Sequence, residues 1–292
     1  MVLNGKKFFK IFLVLLAAAV IIRIGVGRLN RIQFGDGIAL IQIDGVIGEG
    51  GGSALIRSSG SYLEQLQTAA ADPKIKAIIL RINSPGGAAA ASQELYQTVL
   101  RIRQQGKPVV ASLGDTAASG GYYVAAAADY IYANGSTITG SIGVIMQTTN
   151  LTELYHKLGI DVDVIKSGEF KDIGSSSRPM RDDERELLTD LIMDAWDQFV
   201  EDVATARNLP REQLEAVADG RIMTGRQALE AGLVDAIGTL EDAEQKALEL
   251  ANITGPYYIQ TYQEQPSLLG RLLSIIDSLV PQAGLSLRYQ WI

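Results

Sequence analysis

Three short segments carry residue types able to do acyl-transfer chemistry. The first is Ser84-Pro85-Gly86-Gly87. Consecutive glycines let the backbone take φ > 0 and turn an N–H outward beside a helix N-terminus, the kind of donor an oxyanion needs. The second is Ala117-Ala118-Ser119-Gly120-Gly121-Tyr122-Tyr123. Here a serine is expected after a strand and a short turn. Small neighbours leave its hydroxyl accessible, and the N–H of Gly120 is a second candidate oxyanion donor. The pattern is that of a nucleophile elbow with Ala117 in place of the first glycine. The third is Lys166-Ser167-Gly168-Glu169-Phe170-Lys171-Asp172, two lysines near a glycine at the end of an expected strand. A lysine serves as general base only when neutral near pH 7. Burial must then lower its pKa by about 3 units, roughly 4 kcal/mol of desolvation. Each segment also has a plainer reading: a tight turn, a packed helix start with a satisfied serine, and solvated surface charges. Spacing alone does not choose between the lysines.

Composition narrows the chemistry. The 292-residue chain has no Cys, which removes disulfides, thiolate metal sites and Cys nucleophiles together. It has one histidine, His156, in an expected helix beside a lysine, a plausible exposed position. A serine hydrolase with no spare histidine needs another base, and lysine is the usual substitute. The net charge of −7 and the lack of any Lys/Arg run argue against nucleic acid as a partner.

The elements that must position these segments alternate. Strands are expected at 38–43, 76–82, 109–113, 130–133, 142–147 and 162–165. Helices are expected at 88–104, 151–158, 184–207, from about 210, at 224–231 and at 240–251. This β/α alternation predicts an α/β fold with mostly parallel strands. Residues 1–30 read as an export signal or anchor. Lys6, Lys7 and Lys10 precede a 12-residue apolar run at 11–22, which extends to 19 residues at 8–26. An uncleaved signal anchor is the preferred reading, and a cleaved signal peptide with Gly25-Val26-Gly27 as the site is the alternative. Leu268, Leu269, Leu272, Leu273, Ile276 and Leu279 form an apolar stripe at helical spacing, ended by Pro281 and Gly284. The expected organisation is an anchor at 1–30, a peptidase domain at 31–255 and an extension with an amphipathic helix at 256–292.

Taken together, IALIQIDGVI (38–47), NSPGG (83–87), AASGGYYVAAAAD (117–129), TGSIGVI (139–145), IKSGEFKDI (165–173) and DGRIMTGRQALEAGLVD (219–235) resemble the short form of the signal peptide peptidase A family. These are membrane-anchored Ser-Lys proteases. NSPGG alone also occurs in Clp protease subunits, which share the wider crotonase-like fold. The resemblance implies a Clp-protease-like repeated ββα superhelix behind a transmembrane helix. It implies Ser119 as nucleophile, Lys171 rather than Lys166 as base, Gly87 and Gly120 as oxyanion donors, and Ser141 as the hydroxyl that orients the amine. Also implied are remnant signal peptides and other extended hydrophobic peptides as substrates, no metal or nucleotide cofactor, and a homo-oligomer, an octamer in the best-known short form. The protein is then expected to be single-pass, with its catalytic domain on the extracytoplasmic side. An acyl-CoA enzyme of the crotonase type would need neither Ser119 nor Lys171. An idle membrane scaffold would tolerate their loss.

Overall fold

The computed structural model describes residues 34–48, 56–262 and 288–290. The expected membrane segment at 1–30 and the apolar stripe at 268–279 lie outside them. Among the described residues no helix is long and apolar enough to cross a membrane.

The frame is a parallel sheet built from apolar runs. Strands β1 (Asp36–Asp44), β4 (Ile75–Ser84) and β6 (Val109–Ala118) sit at its centre, with β7 (Tyr130–Ala133) and β10 (Ala236–Ile237) on one side and β11 (Tyr257–Tyr262) on the other. The central three are largely buried on both faces, which is why β4 and β6 open as near-continuous apolar runs, whereas the edge strand β11 alternates between exposed and half-buried residues. One face is covered by helices α1 (Ser59–Ala71), α2 (Ala89–Gln104) and α3 (Gly120–Ala126). The other is covered by α8 (Leu240–Leu250), through Ala243 and Ala247 against Ile38, Ile79 and Val110.

The ladder between β4 and β6 is broken once, and that break shapes the site. Ile82 pairs with Leu113, but Ser84 pairs with Ala117. Gly114, Asp115 and Thr116 therefore stand against Asn83 alone, a bulge in which the Asn83 side chain accepts the N–H of Thr116. Below the bulge β6 pairs with β7, and above it with β8 (Ile138–Gly140). β8 in turn pairs antiparallel with β9 (Ile222–Thr224). The upper end of β6 thus leaves the main plane and carries Ser119 at its tip.

A second small sheet lies over that tip. It runs β12 (Arg288–Gln290), β5 (Gly86–Ala88), β2 (Val46–Gly48), β3 (Ile56–Ser58), with only β12 antiparallel to its neighbour. The long helix α5 (Asp182–Arg207) packs on α3 through Phe199, whose ring stacks on Tyr123 at 4.3 Å between centroids. Short helices α4 (Thr152–Leu158), α6 (Arg211–Glu215) and α7 (Gly225–Glu230) complete the described set.

Two expected strands are absent. Residues 142–147 hold only an isolated bridge at Ile145, and 162–165 are irregular. Both segments have the β-branched composition of strands. Neither finds a continuous neighbour among the described residues, and Ile160, Val162, Val164 and Ile165 stay exposed.

Candidate active site

Ser119 is the hinge between β6 and α3. The strand runs directly to Ala118, so the serine follows it without the short turn expected from sequence. It takes φ 53° and ψ −120°, a conformation that residues with a side chain rarely adopt. Its N–H donates to the Gly140 carbonyl at 2.8 Å, and its carbonyl accepts from Tyr123 N–H at 2.8 Å. The backbone is therefore held from both sides. The side chain is not: Oγ is buried and has no hydrogen-bond partner among the described residues. Buried hydroxyls are normally satisfied, so this one asks for an explanation.

The residues around it are small because backbone lies against backbone. A Cβ on Gly121 would come within 2.7 Å of the Ser84 carbonyl oxygen, and one on Gly87 within 1.8 Å of the Ile47 carbonyl oxygen. The glycines of both motifs thus let α3, β5 and β2 converge on one point. Gly120 is the first residue of α3, so its N–H has no acceptor within the helix. Ser141, the next residue after β8, also has positive φ (53°) and is buried. Its N–H is tied to the Arg221 carbonyl at 2.8 Å. The fold therefore brings Ser119, Gly120, Gly87 and Ser141 to the carboxyl ends of neighbouring strands.

Lysine placement differs from this. Lys171 lies in an exposed turn, and Lys171 Nζ is not within hydrogen-bonding distance of Ser119 Oγ. The turn nonetheless separates the two lysines of the motif. Lys166 is committed: its Nζ donates to Asp172 Oδ1 at 2.6 Å and to the Glu169 carbonyl at 2.8 Å. The Lys171 amine makes no hydrogen bond or ion pair among the described residues. Arg178 and, secondarily, Lys166 hold the Asp172 carboxyl well below the usual carboxylate range through their hydrogen bonds. His156 is exposed on α4.

Beside Ser141 opens an apolar cavity of about 590 Å³, with Val144, Ile145, Ile192, Met193 and Trp196 in its wall. Trp196 is fixed there by donating to the Ala218 carbonyl at 2.8 Å. Sequence reasoning did not find this pocket, because its wall combines a loop with a helix 50 residues further on. It also missed Arg178 and Glu184, which bind the lysine turn to α5. The sole trace of Glu184 in the sequence is its place as the third residue of a helix, where a carboxylate caps the helix start.

Comparison with known sequences places the chain in a family. The Peptidase family S49 profile matches residues 101–254, and the Clp protease profile matches residues 56–141. A candidate protease of Synechocystis sp. is 41% identical over 258 residues, 87% of this chain and 90% of that protein. The chloroplast serine protease SPPA of Arabidopsis thaliana is 39% identical over 203 residues, 69% of this chain and 30% of that one. Protease 4 of Salmonella typhi is 34% identical over 253 residues, 85% of this chain and 41% of that one. This chain spans well under half the length of those last two relatives. With the S49 profile covering more than half of its residues, and a relative aligned over nine-tenths of its own length, the chain belongs to peptidase family S49 and is an SppA-type serine protease.

Proposed function

We propose that this protease is a membrane-anchored endopeptidase of crotonase-like superhelical fold. On this reading it degrades cleaved signal peptides and other extended hydrophobic peptides through a Ser119–Lys171 dyad. The observation that carries the reading is the Ser119 hydroxyl, buried without a partner among the described residues on a strained strand-to-helix junction. In the proposed reaction the Lys171 amine takes the Oγ proton as Oγ bonds to the peptide carbonyl carbon. The N–H groups of Gly87 and Gly120 hold the resulting oxyanion, and Ser141 orients the amine. The Lys171 ammonium then gives its proton to the leaving nitrogen as the C–N bond breaks. Water, deprotonated by Lys171, opens the acyl ester, and the proton returns to Oγ.

Two features support an extended apolar substrate. The β5 edge accepts an antiparallel segment, as its pairing with β12 demonstrates, and strand addition is how extended peptides are commonly held. The cavity beside Ser141 offers an apolar side chain a place to enter. A third feature supports assembly. Ile145, Ile160, Val162, Val164, Ile165 and Phe170 are exposed, Ile165 at 97%, on and around the segment bearing Lys171. A second copy of the chain covering them would also cover the turn that bears Lys171. The membrane anchor is the 1–30 segment, and the catalytic domain lies on the extracytoplasmic side.

The test is cleavage of a hydrophobic fluorogenic peptide by full-length protein across pH 6–10. Activity is expected to rise with pH, to vanish in Ser119→Ala and Lys171→Met, and to persist in Lys166→Met. Retained activity in folded Lys171→Met, or an optimum near pH 5, would overturn the dyad.

A further inference from the structure

The charged residues around the lysine turn form one connected system. Arg178 binds Asp172 with two parallel hydrogen bonds, Nε to Oδ2 and Nη2 to Oδ1, both 2.9 Å. It binds Glu184 with two more, Nη1 to Oε2 at 2.8 Å and Nη2 to Oε1 at 2.5 Å. Glu184 is fully buried in the first turn of α5, where it also accepts the Arg181 N–H at 2.9 Å and lies 3.2 Å from the Arg181 guanidinium. Lys166 adds a second cation to Asp172 at 2.6 Å. Arg181 lies between Asp183 (2.9 Å) and Glu169 (3.7 Å), and its guanidinium sits 5.4 Å from the centre of the Phe170 ring.

A planar guanidinium gripping two carboxylates at once ties the turn to the helix far more rigidly than a point charge would. Lys171 stands inside this clamp, between Phe170 and Asp172, with its backbone N–H on the Gly168 carbonyl. Its neighbour Asp172 also bears on the chemistry. A lone carboxylate beside an amine favours the charged amine, which is the wrong state for a base. Here that carboxylate already answers to Arg178 and Lys166.

We propose that Arg178 is a positioning residue for Lys171: its double fork fixes the turn from which the amine projects, and it neutralises the adjacent Asp172 so that this carboxylate does not retain a proton on the amine. The inference rests on the reading of Lys171 as the base. It concerns a residue that touches neither substrate nor the Ser119 hydroxyl.

The experiment measures kcat and KM of full-length protein from pH 6 to 10. It compares wild type with Lys171→Met, Arg178→Gln, Arg178→Lys and the double variant Arg178→Gln/Asp172→Asn. Arg178→Gln should lower kcat by about tenfold or more with KM within about threefold, since only transition-state positioning is lost. The pH of half-maximal rate should move up by about half a unit or more, because Asp172 is left under-compensated. Arg178→Lys should restore that midpoint without restoring kcat, having the charge but not the fork. Removing the carboxylate in the double variant should return the midpoint while kcat stays low. Wild-type kcat in Arg178→Gln, or a kcat loss with an unmoved midpoint, overturns the proposal. If Arg178→Gln does not fold by circular dichroism, Arg178→Lys decides, and wild-type kcat there overturns it equally. Activity in Lys171→Met fails the dyad itself, an outcome readable independently of every Arg178 variant.

Discussion

Ser119 pays for its place with two separate strains, and both are measurable. An unsatisfied buried hydroxyl costs about 1–3 kcal/mol, and a backbone held outside the common wells costs a similar amount. Replacing Oγ by hydrogen removes the first cost and leaves the second. Ser119→Ala is therefore expected to abolish peptidase activity while raising stability by about 1 kcal/mol, read from chemical denaturation of wild type and variant side by side. A merely structural serine would show the opposite sign. The candidate nucleophile and the glycines around it were legible in the sequence, because small residues crowd a position only where backbones must meet. The distinction between Lys166 and Lys171 was not legible from the residues alone. Five positions apart and flanking one glycine, they differ in what the folded turn places beside them. Asp172 bonds back to Lys166, and the Lys171 amine is left without a partner among the described residues.

At the scale of elements, alternation and apolar runs located the central strands and the helices α2, α5 and α8 to within a few residues, since burial on two faces or one stripe writes itself into the sequence, whereas α1 at Ser59–Ala71 was not among the expected helices. The segments 142–147 and 162–165 have strand-like composition without a strand, because pairing depends on a neighbour that local sequence does not encode. The short strands β2, β5 and β8 were unreadable for the converse reason: three residues are too few to show a period. The joint between the lysine turn and α5 makes a prediction of its own. Arg178's hydrogen bonds hold Glu184 down from 4.5 to about 2. A depressed carboxylate contributes its stability in full above its unfolded value and loses it as pH falls through the folded one. The thermal stability of wild type should thus fall as pH drops from about 4.5 to about 2. Glu184→Gln should be less stable at pH 7, lack that part of the slope, and converge with wild type near pH 2. Parallel slopes for the two proteins would assign the acid sensitivity to other groups.

Across the whole molecule, two sheets meet at one point. The large sheet delivers Ser119 at the end of β6, and the small sheet sets β5, with Gly87, against the helix that follows it. Neither sheet alone holds a site, which explains why motifs scattered from residue 83 to residue 173 had to be read together. The small sheet carries one further relation: Tyr289 of β12 lies opposite Gly87, antiparallel, on the edge that a substrate strand is proposed to use. Tyr289→Pro puts a residue that strands disfavour at the middle of this three-residue pairing and weakens it. It is expected to lower KM for a short hydrophobic peptide several-fold with kcat little changed, measured by initial rates on full-length protein. An unchanged KM would mean that peptides bind elsewhere. The pairing implies that any peptide reaching this edge meets an incumbent joined to it by covalent chain. A tethered competitor acts at an effective concentration of about millimolar order, however dilute the enzyme. Weakly pairing sequences then lose the exchange at ordinary abundance, and the protease discriminates before any bond is cut.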